Sequence, residues 1–560
     1  MIKINDRSEI LVEIQNLSLN IQNKKILKNV SFSILKNETV AIVGESGSGK
    51  TLTALSLIGL IPNNSSISSN KMKFLNTSLS DNNYLMWRSI RGKAIGIIFQ
   101  EPHSSLNPSM KCGKQLLEVL KIHYSNNKNE NKKIIFSAFK DVQLNGFERI
   151  YNSYPHQLSG GQKQRVMIAM AILCKPKLLI ADEPTTALDV TVQKEIILLL
   201  KSLQIKYEMS ILFISHDLNL VKHLADKVFV MKNGKIIEFG INKKLFENPQ
   251  KSYTKGLLFA RPSIEKRLKI LPTINDYKKG NFNEKIITLE ERKEKHKILY
   301  SKSPILEIID LEKKFFKQNV LFNKKIYFHA IKSFSFKLYK GETLGLVGES
   351  GCGKSTLGRA IIYLDPPTSG KIFYNSRLIN KNDFDKSNNL RKEIQFIFQD
   401  PHSSMHPFKT IGNSIMEVLK VHNILTDKKD RKKRVYDLIK KVGLSKIHFN
   451  SHPHELSGGQ KQRAIIARAL ATNPKIIICD ECVASLDISI QAKILNLLND
   501  LKEELNLSYI LISHDLSVVK YMSDRIMVMK SGKLIEFEES DLLYNNPKKN
   551  YTKKLISSII

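Results

Sequence analysis

The string GESGSGKT occupies positions 44–51, and GESGCGKS occupies 348–355. The spacing Gly-x-x-x-x-Gly-Lys-Ser/Thr has a physical purpose. Its glycines let backbone N–H groups turn inward around phosphate oxygens, and the helix that follows adds its dipole. Lys50 and Lys354 carry ammonium groups that can neutralise phosphate charge, and the hydroxyls of Thr51 and Ser355 can ligate Mg²⁺. Gly44, Ser46, Gly47 and Gly49 complete the first cradle as phosphate-binding candidates; Gly348, Ser350, Gly351 and Gly353 complete the second. One such string arises by chance in unrelated chains. Two, each between an apolar run and a helical pattern, do not read as coincidence.

Further polar residues close apolar runs in both halves. Asp182 and Asp480 end such runs, where a carboxylate can hold the Mg²⁺ shell. The adjacent Glu183 and Glu481 are placed to orient or deprotonate an attacking water. Gln100 and Gln399 follow the apolar runs 95–99 and 394–398 and are candidates to sense the metal and the water. His216 and His514 also end apolar runs, within reach of a γ-phosphate. The candidate metal set is therefore Thr51, Gln100 and Asp182 in one half and Ser355, Gln399 and Asp480 in the other.

These residues must be positioned by a repeated α/β unit. LSGGQKQR occurs at 158–165 and again at 456–463, SHDL at 215–218 and 513–516, and Asn-Pro…Tyr-Thr at 248–254 and 546–552. Their order is the same in both halves, so one domain has been duplicated. Short apolar runs at 38–43, 177–181 and 211–214 predict buried strands, and a helix is expected from Lys50. Alternation of strands with helices implies a mainly parallel core sheet. Amphipathic stretches at 113–121 and 134–142 predict a helical subdomain inserted in each half. Residues 8–262 and 304–560 are read as the two domains, each with a short C-terminal extension. The charge-rich stretch 263–303 between them reads as a linker, with a short helix over 290–298. As flexible chain it would reach roughly 35 Å.

Composition bounds what these halves can serve. Of 560 residues, 42% are apolar and 25% charged, which excludes collagen-like, low-complexity and disulfide-scaffold classes. Lys plus Arg is 88 against 53 for Asp plus Glu, a net charge of +35. The excess is spread along a chain rich in Lys, Asn and Ile rather than gathered into one stripe, so it reads as compositional drift and names no partner. No apolar run approaches the ~18 residues of a membrane span. The first residues lack the apolar core of a secretory signal. Five scattered cysteines suit a reducing compartment.

Phosphate loop, Gln, LSGGQ, acidic strand end and His together resemble an ATP-binding cassette (ABC) ATPase, twice over. Residues 182–193 resemble the first ATPase of the bacterial oligopeptide and dipeptide importers, and residues 479–491 the second. The whole is similar to fused double ATPases of that subfamily, such as those serving peptide, microcin C and glutathione import. The resemblance implies that two cassettes close head to tail over two ATP. Ser457, Gly458, Gly459 and Gln460 would then cap the first nucleotide, and Ser159, Gly160, Gly161 and Gln162 the second. Glycine backbone and a serine hydroxyl at a helix start suit an anion clamp. The resemblance further implies ATP and Mg²⁺ as cofactors, two integral-membrane permease subunits, and an extracytoplasmic solute-binding protein acting through them. It places the chain peripherally on the cytoplasmic face of the inner membrane, with no nucleic acid expected.

Two departures stand out. The family carries an aromatic that stacks on adenine; Phe315 fits in the second half, but Ile21 stands there in the first. Phe32 and Phe336 read as core. Cys482 replaces the proline that follows the first acidic pair, Pro184, and creates the spacing Cys479-x-x-Cys482. With no second pair it is a poor zinc site. The alternative reading is a soluble tandem cassette acting on ribosomes or nucleic acid, which the basic charge would suit. Those proteins typically carry a long charged helical linker, whereas this one is weakly helical, and the peptide-importer tail occurs twice.

Overall fold

The computed structural model describes residues 9–79, 84–101, 105–124, 127–186, 188–280, 284–318, 325–385, 389–401, 403–484 and 486–558. It divides into two compact units, one up to Leu258 and one from Phe259.

In the first unit, β1 (Ile10–Ile21) and β2 (Lys24–Leu35) form an antiparallel hairpin that continues into β3 (Thr39–Val43). The short strands β4 (Ser65–Ser68), β5 (Lys71–Phe74) and β6 (Thr77–Ser78) extend the hairpin sheet. The core sheet adds β7 (Ile95–Ile98), β8 (Leu178–Asp182), β9 (Ser210–Ser215), β10 (Lys227–Lys232) and β11 (Lys235–Ile241). Its order is β11-β10-β3-β9-β8-β7, parallel except at the β10–β11 hairpin. β3 and β8 are buried at every position, which explains their unbroken apolar runs.

The second unit repeats this plan. Its hairpin sheet is built from β12 (Pro304–Gln318), β13 (Lys325–Tyr339), β15 (Ser369–Tyr374) and β16 (Arg377–Ile379), with β14 (Thr343–Val347) following the hairpin. The core strands are β14, β17 (Ile394–Ile397), β18 (Ile476–Asp480), β19 (Ser508–Ile512), β20 (Arg525–Lys530) and β21 (Lys533–Glu539). They run β17-β18-β19-β14-β20-β21, the same neighbours as in the first unit. Phe32 and Phe336 are buried, as core residues should be.

The helical insertions are present. Cys112–His123, Lys128–Asp141 and Gly160–Ile172 pack together in the first unit; Ile411–Val421, Lys428–Lys441 and Gly458–Leu470 are their counterparts. The helix expected over 134–142 begins earlier, at Lys128. Asn127 and Glu130 form a reciprocal cap there, so polar residues open the helix before its apolar face begins.

The stretch 263–303 departs from a flexible tether. It folds onto the second unit as two helices, Ile274–Lys279 and Leu289–Tyr300. Arg267 donates to the carbonyls of Tyr521 (3.3 Å) and Ser523 (3.0 Å) and pairs with Asp541. Arg292 is buried against Glu539 and Asp541, and Leu271 enters the core while exchanging hydrogen bonds with Asn496. Two of the charges that made it look like solvated chain, Arg267 and Arg292, are neutralised by acidic partners far along the sequence.

Candidate functional site

Strand order brings the chemistry together. β3, β9, β8 and β7 lie side by side and parallel, so their carboxyl ends share one edge. From that edge emerge the phosphate loop after β3, His216 after β9, Asp182 and Glu183 at the end of β8, and Gln100 after β7. Ligands of open α/β sheets sit at such carboxyl ends. The second unit sets the loop at 348–355, His514, Asp480, Glu481 and Gln399 on the same edge.

Each loop closes tightly on itself. A Cβ at Gly44 would lie 2.2 Å from the Met231 carbonyl oxygen, and one at Gly348 equally close to that of Met529. Gly49 and Gly353 cap the helices Lys50–Ser56 and Lys354–Ile361 at φ of 103° and 111°, a conformation that excludes side chains. Lys50 is buried and donates to the carbonyls of Gly44 (2.9 Å) and Glu45 (3.0 Å); Lys354 does the same with Gly348 (2.7 Å) and Glu349 (3.0 Å). Ser46 and Gly47 form the exposed crest of the first loop, as Ser350 and Gly351 do of the second.

The acidic pairs divide by environment. Thr51 donates to Asp182 at 3.2 Å and Ser355 to Asp480 at 3.0 Å. Burial pushes both aspartates up to about 6, against the pull of those hydroxyls. A hydroxyl beside a buried carboxylate is a hard-oxygen donor set that fits Mg²⁺. Glu183 and Glu481 go the other way. Burial alone would raise them, but hydrogen bonds and charge from His216 and His514, with Lys50 and Lys354, hold both below the ordinary carboxylate value. They are ionised at neutral pH and able to accept a proton.

Both glutamates sit in left-handed backbone, at φ of 46° and 50°. This is rare for non-glycine residues and costs on the order of 1–3 kcal/mol. The match means that Cys482 in place of proline leaves the resting backbone of Glu481 unchanged. Glu183 accepts hydrogen bonds from Gln100 (3.0 Å) and Thr186 (3.1 Å) and lies 3.1 Å from His216. Glu481 accepts from Gln399 (2.5 Å) and lies 3.3 Å from His514, and Ala484 stands where Thr186 is. Thr186 carries no signal in the sequence, since a threonine three residues on looks like ordinary turn chemistry. Cys479 and Cys482 are buried free thiols, and a hydrogen bond from Cys482 together with burial raises Cys479 well above its ordinary value.

A cleft of about 550 Å³, lined by Thr51, Phe99, Gln100, Glu101, Ser105 and Asp182, opens beside the first candidate metal set. A cleft of about 180 Å³ lies beside the second phosphate loop, lined by Phe328, His329 and residues 349–352 among others. Phe315 does not line it. It pairs across the strands with Phe328, and Lys313 Nζ sits 5.0 Å over its ring. Phe328 carries no signal in the sequence, because β13 reads as an ordinary amphipathic strand. In the first unit Ile21 packs on the core cluster and pairs with Lys24.

The two LSGGQ segments are helix starts. Ser159 and Ser457 cap the helices Gly160–Ile172 and Gly458–Leu470, their side-chain oxygens accepting from the N–H of Gln162 (3.3 Å) and Gln460 (3.4 Å). With Gly160 and Gly458 they are exposed.

Fold and site together define a duplicated phosphate-loop ATPase. Residues 27–186 and 331–484 match the ABC transporter family, and residues 237–282 match the oligopeptide/dipeptide transporter C-terminal region. The chain belongs to the ABC transporter family and is an ATPase of it. It is 42% identical over 562 residues to the glutathione import ATP-binding protein GsiA of Escherichia coli (strain K12), covering 98% of this chain and 89% of that protein. Identity and coverage are the same for GsiA of Shigella dysenteriae serotype 1. Among solved structures, a dimeric ATP-binding cassette in a post-hydrolysis state bound to ADP and Pi is 30% identical. It covers 42% of this chain and 98% of its own, at a TM-score of 0.38.

Proposed function

We propose that this chain is the energy-coupling ATPase of a bacterial importer for short peptides, hydrolysing ATP in both halves. The observation that carries it is the glutamate held between Gln and His at the carboxyl edge of each sheet, in a chain that matches the oligopeptide/dipeptide transporter region. Each phosphate loop binds the β- and γ-phosphates with its N–H groups, and Lys50 and Lys354 turn from the loop carbonyls to the phosphate oxygens. Thr51 with Asp182, and Ser355 with Asp480, would hold Mg²⁺, joined by Gln100 and Gln399; the ion supplies charge neutralisation at the γ-phosphate. Glu183 and Glu481 orient the attacking water and take its proton. His216 and His514 fix those carboxylates and donate toward the γ-phosphate. Phe315 offers the second adenine a ring. Ser159 with 160–162, and Ser457 with 458–460, serve as the second anion clamps that the family resemblance implies.

Among the described residues no helix is long and apolar enough to cross a membrane. The reading therefore calls for two permease subunits that supply the pathway, with the chain peripheral on the cytoplasmic face of the inner membrane and a solute-binding protein delivering peptide. The domain limits 8–262 and 304–560 stand as part of this proposal; Ser8 and the last two residues lie outside the described residues. Co-purification from membranes, followed by ATP-driven peptide uptake into reconstituted vesicles, tests the reading. Recovery of the chain without any membrane-spanning partner would count against it.

A further inference from the structure

The short extension after each core sheet reaches back to the phosphate loop. In the first unit the helix Ser252–Phe259 places Tyr253, almost wholly buried, so that its hydroxyl oxygen accepts the N–H of Glu45 at 3.2 Å. In the second unit Tyr551, in the helix Asn550–Ser557, accepts the N–H of Glu349 at 3.3 Å. The partner is informative. Glu45 N–H and Gly44 C=O belong to one peptide group, which is a rigid plane. The carbonyl end of that plane holds Lys50 Nζ at 2.9 Å, and the N–H end is held by Tyr253. The second unit repeats both ends, with Lys354 Nζ at 2.7 Å from Gly348 oxygen. Turning the plane would break both bonds together.

The surroundings are built to place that hydroxyl. Glu238 accepts the N–H groups of Gln250 (2.7 Å) and Lys251 (3.1 Å) and the hydroxyl of Thr254, which fixes the start of the first extension helix. Glu536 accepts the N–H groups of Lys548 (2.7 Å) and Lys549 (3.1 Å) in the second. Lys232 Nζ lies 4.2 Å over the Tyr253 ring, and Lys530 Nζ 4.6 Å over that of Tyr551. On the other side, the Met231 and Met529 carbonyls press against Gly44 and Gly348.

We propose that Tyr253 and Tyr551 are positioning residues for nucleotide binding. Each extension helix orients, through one peptide plane, the carbonyl that parks the phosphate-binding lysine, and it keeps the loop open when that lysine leaves for the phosphates. The proposal rests on reading Lys50 and Lys354 as phosphate ligands. It gives the extension a role in ATP affinity, set from the far end of each half.

The test uses the full-length chain with ATP and Mg²⁺. Tyr253→Phe/Tyr551→Phe keeps both rings under their lysines and removes only the hydroxyls. One lost hydrogen bond of ordinary strength corresponds to about a three- to tenfold change. The expected result is an ATP KM raised by about that factor, with kcat within about twofold and the melting temperature within about 2 °C. Amide exchange at Glu45 and Glu349 should quicken by at least about tenfold, since both N–H groups lose their acceptor. An unchanged KM, or a KM rise that merely tracks a fall in melting temperature, overturns the proposal. Lys50→Ala/Lys354→Ala separates the two levels. If that variant binds ATP normally, the site reading itself fails. If it loses ATP while the phenylalanine variant binds normally, only the positioning role fails.

Discussion

The two halves differ where the family resemblance would place an adenine. Phe315 is 40% exposed and its cross-strand partner Phe328 is 61% exposed, whereas the first half offers Ile21, packed on its core, and Lys24. A phenylalanine presents roughly 200 Å² when free, so Phe315 has about 80 Å² still open. At about 25 cal/mol per Å², covering all of it is worth about 2 kcal/mol, and covering one ring face about 1. That agrees with the ~1–3 kcal/mol of base–aromatic stacking in other complexes. The second site should therefore bind ATP about five- to thirtyfold more tightly than the first. The assay is nucleotide titration of Glu183→Gln/Glu481→Gln protein carrying Lys50→Ala or Lys354→Ala, so that each site is read alone. Phe315→Ala should erase most of the difference and Ile21→Phe should narrow it from the other side. If Phe328→Ala has the larger effect, Phe328 is the stacking ring. Equal affinities in the two backgrounds, unmoved by any of these changes, would refute the reasoning.

Other outcomes follow from particular contacts. Asp182 and Asp480 titrate near pH 6, so protons compete with Mg²⁺ there; the apparent Mg²⁺ affinity in ATPase assays should fall below that pH and level off above it. Arg292 is buried against two carboxylates, and losing one partner of a buried pair costs about 3–5 kcal/mol. Arg292→Ala should lower the melting temperature of the second unit alone and expose 263–303 to limited proteolysis; equal resistance would mean that the segment is not anchored. Asp524 lies between Lys502 (2.9 Å) and His296 (3.3 Å), and although burial opposes it, the charge of Lys502 and the hydrogen bond to His296 hold its carboxyl well below the usual range. A depressed folded value means its stabilisation is complete above the unfolded value of about 3.9 and is lost as pH falls further, so acid melts should lose the second unit's extra stability only there. Substitutions in 104–110 or 403–407, beside the Gln segments, should uncouple transport while sparing ATP hydrolysis; Ser104 lies outside the described residues.

Much of the site was legible because its chemistry is local in sequence. A glycine loop must precede its lysine, and a metal-binding carboxylate must end a buried strand, so spacing alone exposes them. Duplication helped further, since His216 alone would read as a structural histidine and His514 repeats it. What escaped notice depends on contacts between distant residues. Thr186 matters only because its hydroxyl turns to Glu183, and Phe328 only because β13 brings it beside Phe315 and the loop. Tyr253 marked a subfamily tail, but nothing in its neighbours points to Glu45, 208 residues away. The stretch 263–303 misled for the opposite reason. Its composition is that of solvated chain, and only the acidic partners at 524, 539 and 541 turn those charges into anchors.

The most direct test of the two glutamates as the water-activating groups is phosphate release by the full-length chain carrying Glu183→Gln and Glu481→Gln together. Each change keeps the side chain's size and a hydrogen-bonding oxygen but removes the group that takes the proton. Loss of an aligned general base costs at least about 10²-fold in rate. The expected result is turnover at or below about 1% of the unsubstituted chain, with ATP still bound at both sites. Turnover within about twofold of the unsubstituted chain would contradict the assignment of these glutamates and of the edge that holds them.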